Sequence, residues 1–149
     1  MQNSGKKMKV LFLCTGNSCR SQMAEGWARH LWPGKIEAYS AGLKPHGLDP
    51  LAVEAMREAG LDISGQRSKA VEEVMELPFD LVVTVCSDAD ANCPVFPGKA
   101  SVVHAGFDDP PRLARESKDG EDAMGHYRRV RDEIREFVLR IPELLKNKR

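Results

Sequence analysis

Eight consecutive residues of this 149-residue sequence, Cys14-Thr15-Gly16-Asn17-Ser18-Cys19-Arg20-Ser21, combine a nucleophile, small polar residues and a permanent cation. A small-residue loop running into a helix N-terminus aims backbone N–H groups at one spot, and the helix dipole adds positive potential there. Gly16 permits a tight backbone, and Asn17 suits a left-handed one. The Arg20 guanidinium matches two oxygens of a tetrahedral oxyanion. The same amides and Arg20 favour a thiolate at Cys14, so its pKa is expected to be depressed. The chemistry is that of an anion cradle with a nucleophile at its floor. A plain strand-to-helix turn around a buried cysteine is the competing reading. Ser21 is placed to hydrogen-bond the thiolate, to cap the helix, or both.

Two more cysteines, Cys86 and Cys93, stand seven positions apart in a polar stretch. They can meet if that stretch rearranges, and thiol–disulfide exchange between them would depend on access and thiolate fraction. Two incidental cysteines are the alternative. A zinc site is a weaker one, because neither cysteine pair has the usual two-to-four-residue ligand spacing. Asp109, fixed ahead of Pro110, is an acid able to protonate a departing oxygen, or simply an Asp-Pro turn. Cys19 reads as a packing residue, and His46 and His104 as structural.

The elements that must position these residues follow from hydrophobic patterning. Lys9 to Leu13 is a short buried strand ending at Cys14. A helix from Ser21 shows one apolar face (Met23, Ala24, Trp27, Ala28, Leu31) and stops at Trp32-Pro33-Gly34. Ile36 to Ser40 is a second strand. Asp49-Pro50 starts a helix that Gly60 closes. Val71 to Leu77 reads as another helix, Leu81 to Val85 as a strand ending at Cys86, and Ala100 to Val103 as a fourth strand. Asp108-Asp109-Pro110-Pro111 reads as a break. A long amphipathic helix follows from about Asp119, bent or ended by Pro142. Strands alternating with helices predict an α/β fold. We expect a single three-layer domain over residues 1–149, with a mostly four-stranded parallel sheet and helices on both faces. Ligands bind beyond the C-terminal ends of such strands, where Cys14 and Cys86 share one rim.

Composition bounds the function. Lys+Arg 22 against Asp+Glu 22 excludes a strongly basic nucleic-acid binder. No apolar run approaches the ~20 residues of a membrane span, and Val10 to Leu13 is too short for a signal peptide. A cytoplasmic monomer is expected, whose cysteines act chemically rather than as staples.

The segment Cys14-Thr-Gly-Asn-Ser-Cys-Arg-Ser-Gln-Met-Ala-Glu-Gly-Trp27 resembles the thioredoxin-coupled arsenate reductases, which share the fold of low-molecular-weight protein tyrosine phosphatases. The likeness extends through Tyr39-Ser-Ala-Gly42, His46-Gly47, Asp62-Ile-Ser64, Leu81-Val-Val-Thr84 with Cys86, Cys93-Pro94 and Gly106-Phe-Asp-Asp-Pro110. It implies a relay without cofactors. Cys14 attacks arsenate, Cys86 attacks Cys14 and releases arsenite, and Cys93 attacks Cys86. The resulting disulfide is left for thioredoxin, with a glutaredoxin system as the other possible reductant. The resemblance makes residues 15–21 the oxyanion cradle, with phosphate or sulfate competing, and makes Asp109 the general acid. Some of these reductases bind potassium through residues matching Asn17, Glu25, Ser40 and an acid. Lys69 stands at the acid's position, so its ammonium is expected to replace the ion and pair with Glu25. Two rival functions stay open at this point: a phosphotyrosine phosphatase, and a non-enzymatic thiol sensor of metals or metalloids.

Overall fold

The computed structural model describes residues 6–86, 100–117 and 121–146. Cys93, the rest of the polar stretch 87–99 and the basic residues after Lys146 lie outside them. Four strands, β1 (Met8–Cys14), β2 (Ile36–Gly42), β3 (Leu81–Thr84) and β4 (Ser101–His104), form one parallel sheet in the order β2-β1-β3-β4. β1 is central, pairing Cys14 with Gly42 on one side and Leu13 with Thr84 on the other. Its residues Val10 to Leu13 are almost wholly buried. That explains their unbroken apolar run, because a parallel strand covered on both faces has no solvent side to alternate with.

Val10, Phe12, Cys14, Leu81 and Val83 point into one layer with helices α1 (Arg20–Leu31), α2 (Pro50–Glu58) and α4 (Glu121–Leu139). Leu11, Leu13 and Val82 face the opposite layer, closed by Val71, Val74 and Phe79. The helix expected at Val71 to Leu77 is a single 3-10 turn, Val71–Glu73. Val71 and Val74 are three positions apart and both buried, a spacing that suits a 3-10 turn as well as an α-helix.

Pro110 and Pro111 do not break the chain. They open α3 (Pro110–Glu116), with Asp109 at its N-cap. Proline costs nothing in a first turn, where the N–H groups have no intrahelical acceptor. Near the C-terminus α4 gives way to α5 (Ile141–Lys146) at Arg140. Pro142 has no N–H to offer the carbonyl of Val138, and Trp32 Nε1 takes that carbonyl instead at 2.9 Å. No helix among the described residues is long and apolar enough to cross a membrane.

Candidate active site

β1 ends at Cys14 and α1 begins at Arg20, so the loop between them lies on the rim of the sheet. α1 carries no acidic residue in its first turn, which leaves its positive end open to an anion. The loop's carbonyls are all engaged. Thr15 O accepts from Lys44 N at 3.0 Å, Gly16 O from His46 N at 2.9 Å, and Ser18 O from Asp49 N at 3.0 Å. Asn17 O accepts from Gln22 Nε2 at 3.0 Å, and Cys19 O from Met23 N at 2.9 Å. The segment after β2 thus runs beside the loop and binds three, and α1 the other two, of the oxygens that would repel an anion. This leaves the amides to receive one.

Two positions allow this close approach. A Cβ on Gly42 would lie 2.7 Å from Thr15 O and 2.9 Å from Asn17 N, and a Cβ on Gly16 would lie 2.8 Å from His46 Nδ1. Asn17 takes a left-handed backbone with φ 48°, as its residue type suggests. Its buried side chain donates to Ser21 Oγ at 2.8 Å and accepts from Gln22 Nε2 at 3.1 Å and Lys69 N at 2.8 Å. Ser21 lies inside α1 rather than at its start, and the N-cap residue Cys19 makes no side-chain cap bond.

Arg20 is buried to 6% exposure; it donates to Phe107 O at 3.0 Å and lies 3.5 Å from Asp109 Oδ1. Phe107 and Asp109 precede α3, so α3 positions the acid and the guanidinium together. A cavity of about 330 Å3 is lined by residues Cys14 to Arg20, His46, Asp109, Pro111 and Arg115. One water requires only ~10–15 Å3 on a comparable measure, so there is room for a tetrahedral anion and an incoming thiol. Sequence reasoning gave His46 only a structural role and did not single out Arg115. His46 reaches the wall through the loop that binds the carbonyls, and Arg115 through a helix that was not expected. His104 instead bonds Thr84 Oγ1 at 2.8 Å.

Cys86 is fully buried just past β3 and shares one apolar cluster with Cys14 and Cys19. The bond from Val85 N to Leu13 O, 3.0 Å, continues the ladder one step and keeps Cys86 beside the start of the loop. Cys19 is buried in that cluster and also borders the cavity. Burial, reinforced by the charge of Asp49, pushes its thiol pKa well above the usual value. Asp49 caps α2 through Leu51 N at 3.0 Å and accepts from Tyr127 OH at 2.6 Å, tying the loop's far end to α4.

Behind the loop, Lys69 Nζ donates to Ser40 O at 2.9 Å and Arg67 O at 3.0 Å, and lies 4.0 Å from Glu25 Oε1. Glu25 also accepts from Ser40 Oγ at 2.6 Å and pairs with Arg29 at 2.6 Å. Burial lowers the pKa of Lys69, and Glu25 opposes that shift. The structure therefore brings Lys69, Glu25, Ser40 and Asn17 together: the ammonium lies against Ser40 O, Arg67 O and Glu25, and the backbone N–H of Lys69 bonds Asn17 Oδ1.

A parallel sheet whose central strand delivers a cysteine into an arginine-backed anion loop defines a cysteine-based oxyanion enzyme of the low-molecular-weight phosphatase type. Residues 9–149 match the family described as low molecular weight phosphotyrosine protein phosphatase, and the chain belongs to it, beside the arsenate reductases. It is 48% identical to an arsenate reductase of Bacillus licheniformis over 92% of this chain and 96% of that one. A solved arsenate reductase in an oxidised state superposes with a TM-score of 0.73 at 32% identity, covering 92% of this chain and 98% of that one. A thioredoxin-dependent arsenate reductase from Corynebacterium glutamicum gives 0.66 at 26% identity, covering 98% of this chain and 65% of that one.

Proposed function

We propose that the protein reduces arsenate to arsenite by a three-thiol relay reset by thioredoxin. The observation that carries this reading is Cys86 at the end of the strand beside β1, in the same buried cluster as Cys14. Of the thiols, hydrolysis of a phosphate ester needs only Cys14.

The Cys14 sulfur attacks arsenic and an S–As bond forms. One arsenate oxygen departs as water with a proton from Asp109, while Arg20 and the loop amides hold the others. The Cys86 thiolate then attacks the Cys14 sulfur. An S–S bond forms, the S–As bond breaks, and its electron pair stays on arsenic, which leaves as arsenite. Cys93 attacks Cys86 and restores the Cys14 thiolate. A dithiol then reduces the Cys86–Cys93 bond. The name of the Corynebacterium glutamicum neighbour supports thioredoxin as that dithiol. Lys69 serves as a built-in cation behind the loop.

Thiol titration before and after one addition of arsenate, without reductant, tests the reading. The relay consumes about two thiols per arsenate reduced. No loss of thiols would leave a phosphatase, and metal retained through gel filtration would indicate a sensor.

A further inference from the structure

α3 presents three different faces. Pro110 and Ala114, four apart, pack toward the core, and Ser117 bonds Leu113 O at 3.0 Å and His126 Nε2 at 3.2 Å. Arg112 lies 4.0 Å from Glu116 on a second face. Pro111 and Arg115, again four apart, share the remaining face and line the cavity above Cys14. The packed face fixes the helix, so Arg115 is held over the mouth by the element that also holds Asp109. Among the described residues Arg115 forms no ion pair.

The charges make this placement informative. Arg20, the deep cation, is partly offset by Asp109 at 3.5 Å. Arg115 supplies the second positive charge of the cavity wall. Once the sulfur of Cys14 faces the central atom, the amides and Arg20 hold three oxygens and the fourth points at the mouth. In an inorganic oxyanion that fourth oxygen is charged or protonated and able to accept from a guanidinium. In an ester it carries an organic group. No Phe, Tyr or Trp is among the described residues that line the cavity.

We propose that Arg115 is a specificity-determining residue that binds the outward oxygen of an inorganic tetrahedral oxyanion and so favours such ions over their esters. This rests on reading the Cys14 pocket as the oxyanion site. The test titrates the wild type, Arg115→Gln, Arg115→Lys and Arg112→Gln with two ligands: inorganic phosphate, and phenylphosphonate, whose fourth position is a ring. Arg115→Gln is expected to raise the phosphate Kd about three- to tenfold, the range of a partly exposed charge-assisted contact, and to leave phenylphosphonate within about twofold. The loss should shrink at high salt, Arg115→Lys should recover most of the affinity, and Arg112→Gln should match the wild type. In steady state the arsenate KM should follow the phosphate Kd with kcat little changed. A phosphate Kd moved less than about twofold, equal weakening of both ligands, an equal loss in Arg112→Gln, or a loss carried by kcat would each overturn the proposal. Should the wild-type chain reduce no arsenate, the proposed function falls, and the phosphate titration still decides the role of Arg115.

Discussion

Lys69 offers the sharpest perturbation of the loop's support. In Lys69→Met the stem remains and the ammonium is lost. Ser40 O and Arg67 O then lose a donor each, a penalty of ~1–3 kcal/mol for a group left buried and unmade. Glu25 is 3% exposed, but it keeps Arg29 at 2.6 Å and Ser40 Oγ at 2.6 Å, so it is not stranded as a lone buried charge. The loss should therefore fall below the ~3–5 kcal/mol of a broken buried pair, at about 2–3 kcal/mol. For a chain of this size that is a Tm drop of about 5–10 °C. The backbone N–H of Lys69, which the substitution keeps, holds Asn17 Oδ1 at 2.8 Å, so a shift of the loosened segment should pass to the left-handed turn of the cradle and reach catalysis. Lys69→Asp is the complementary change. It places a second carboxylate beside Glu25 among the oxygens of Ser40 and Arg67, a set suited to a hard cation. Differential scanning fluorimetry and arsenate turnover at equal ionic strength, in potassium or in sodium, read both variants. The wild type should be indifferent to the ion, and Lys69→Asp should gain stability and rate in potassium. A specific potassium activation of the wild type would refute the reasoning, as would a Lys69→Met protein with unchanged Tm and phosphate affinity.

Cys14→Ser should lose arsenate reduction and any ester hydrolysis by at least ~100-fold, since a hydroxyl in this cradle is a far poorer nucleophile; residual rates above a tenth would remove Cys14 from that role. Cys93→Ser should complete one turnover and then accumulate a Cys14–Cys86 disulfide, seen by peptide mapping, and a Cys14–Cys19 link would show a different relay. Gly42→Ala should lower stability and phosphate affinity together, because the new methyl meets Thr15 O at 2.7 Å and must push the loop outwards. Tyr39, whose hydroxyl bonds Glu37, has its pKa pushed up to about 12. An unfolded tyrosine releases its proton near ~10, so the folded chain binds more protons between those values and stability falls as pH rises through that window. Tyr39→Phe should flatten the fall in urea midpoint, and an unaltered slope would dismiss this cause.

The cradle was legible because its signals are local. A buried strand is a short apolar run, the loop is spelled in small residues, and Asn17 is one of the few residue types that accept a positive φ. The placement of Cys14 and Cys86 on one rim followed from strand ends alone. The misread segments are those where one pattern serves two structures. Val71 and Val74 satisfy a 3-10 turn as well as a helix. Pro110-Pro111 forbids a helix interior yet favours a helix start, and only the packing of Pro110 and Ala114 selects the second. With α3 unseen, Arg115 had no route to the cavity. His46 was hidden for another reason: its place depends on an amide ladder between segments some thirty residues apart, which no local pattern records.

The same cradle serves two chemistries in this family, and the split is set outside it. A cysteine, an arginine and a ring of amides recognise the charge and shape that phosphate and arsenate share, so they cannot by themselves decide what happens after the sulfur attacks. The central atom and the second thiol decide. Phosphorus(V) held on sulfur can be released only by an oxygen nucleophile, so the cysteine returns unchanged. Arsenic(V) held on sulfur can also accept the bonding pair when a second thiolate attacks that sulfur, and it departs two electrons richer. The fold therefore has to offer a thiol beside the cradle, not inside it. Burial, reinforced by Asp49, raises the thiol pKa of Cys19 within the loop, which disfavours a nucleophilic thiolate there. In the proposed relay the thiol beside the cradle is Cys86, which lies past the end of the neighbouring strand in the same buried cluster as Cys14. Cys86→Ser should then keep the anion affinity of the wild type and any hydrolysis of an aryl phosphate, while abolishing the loss of thiols to arsenate. Arsenite formed at the wild-type rate by that variant would place the second electron donor elsewhere.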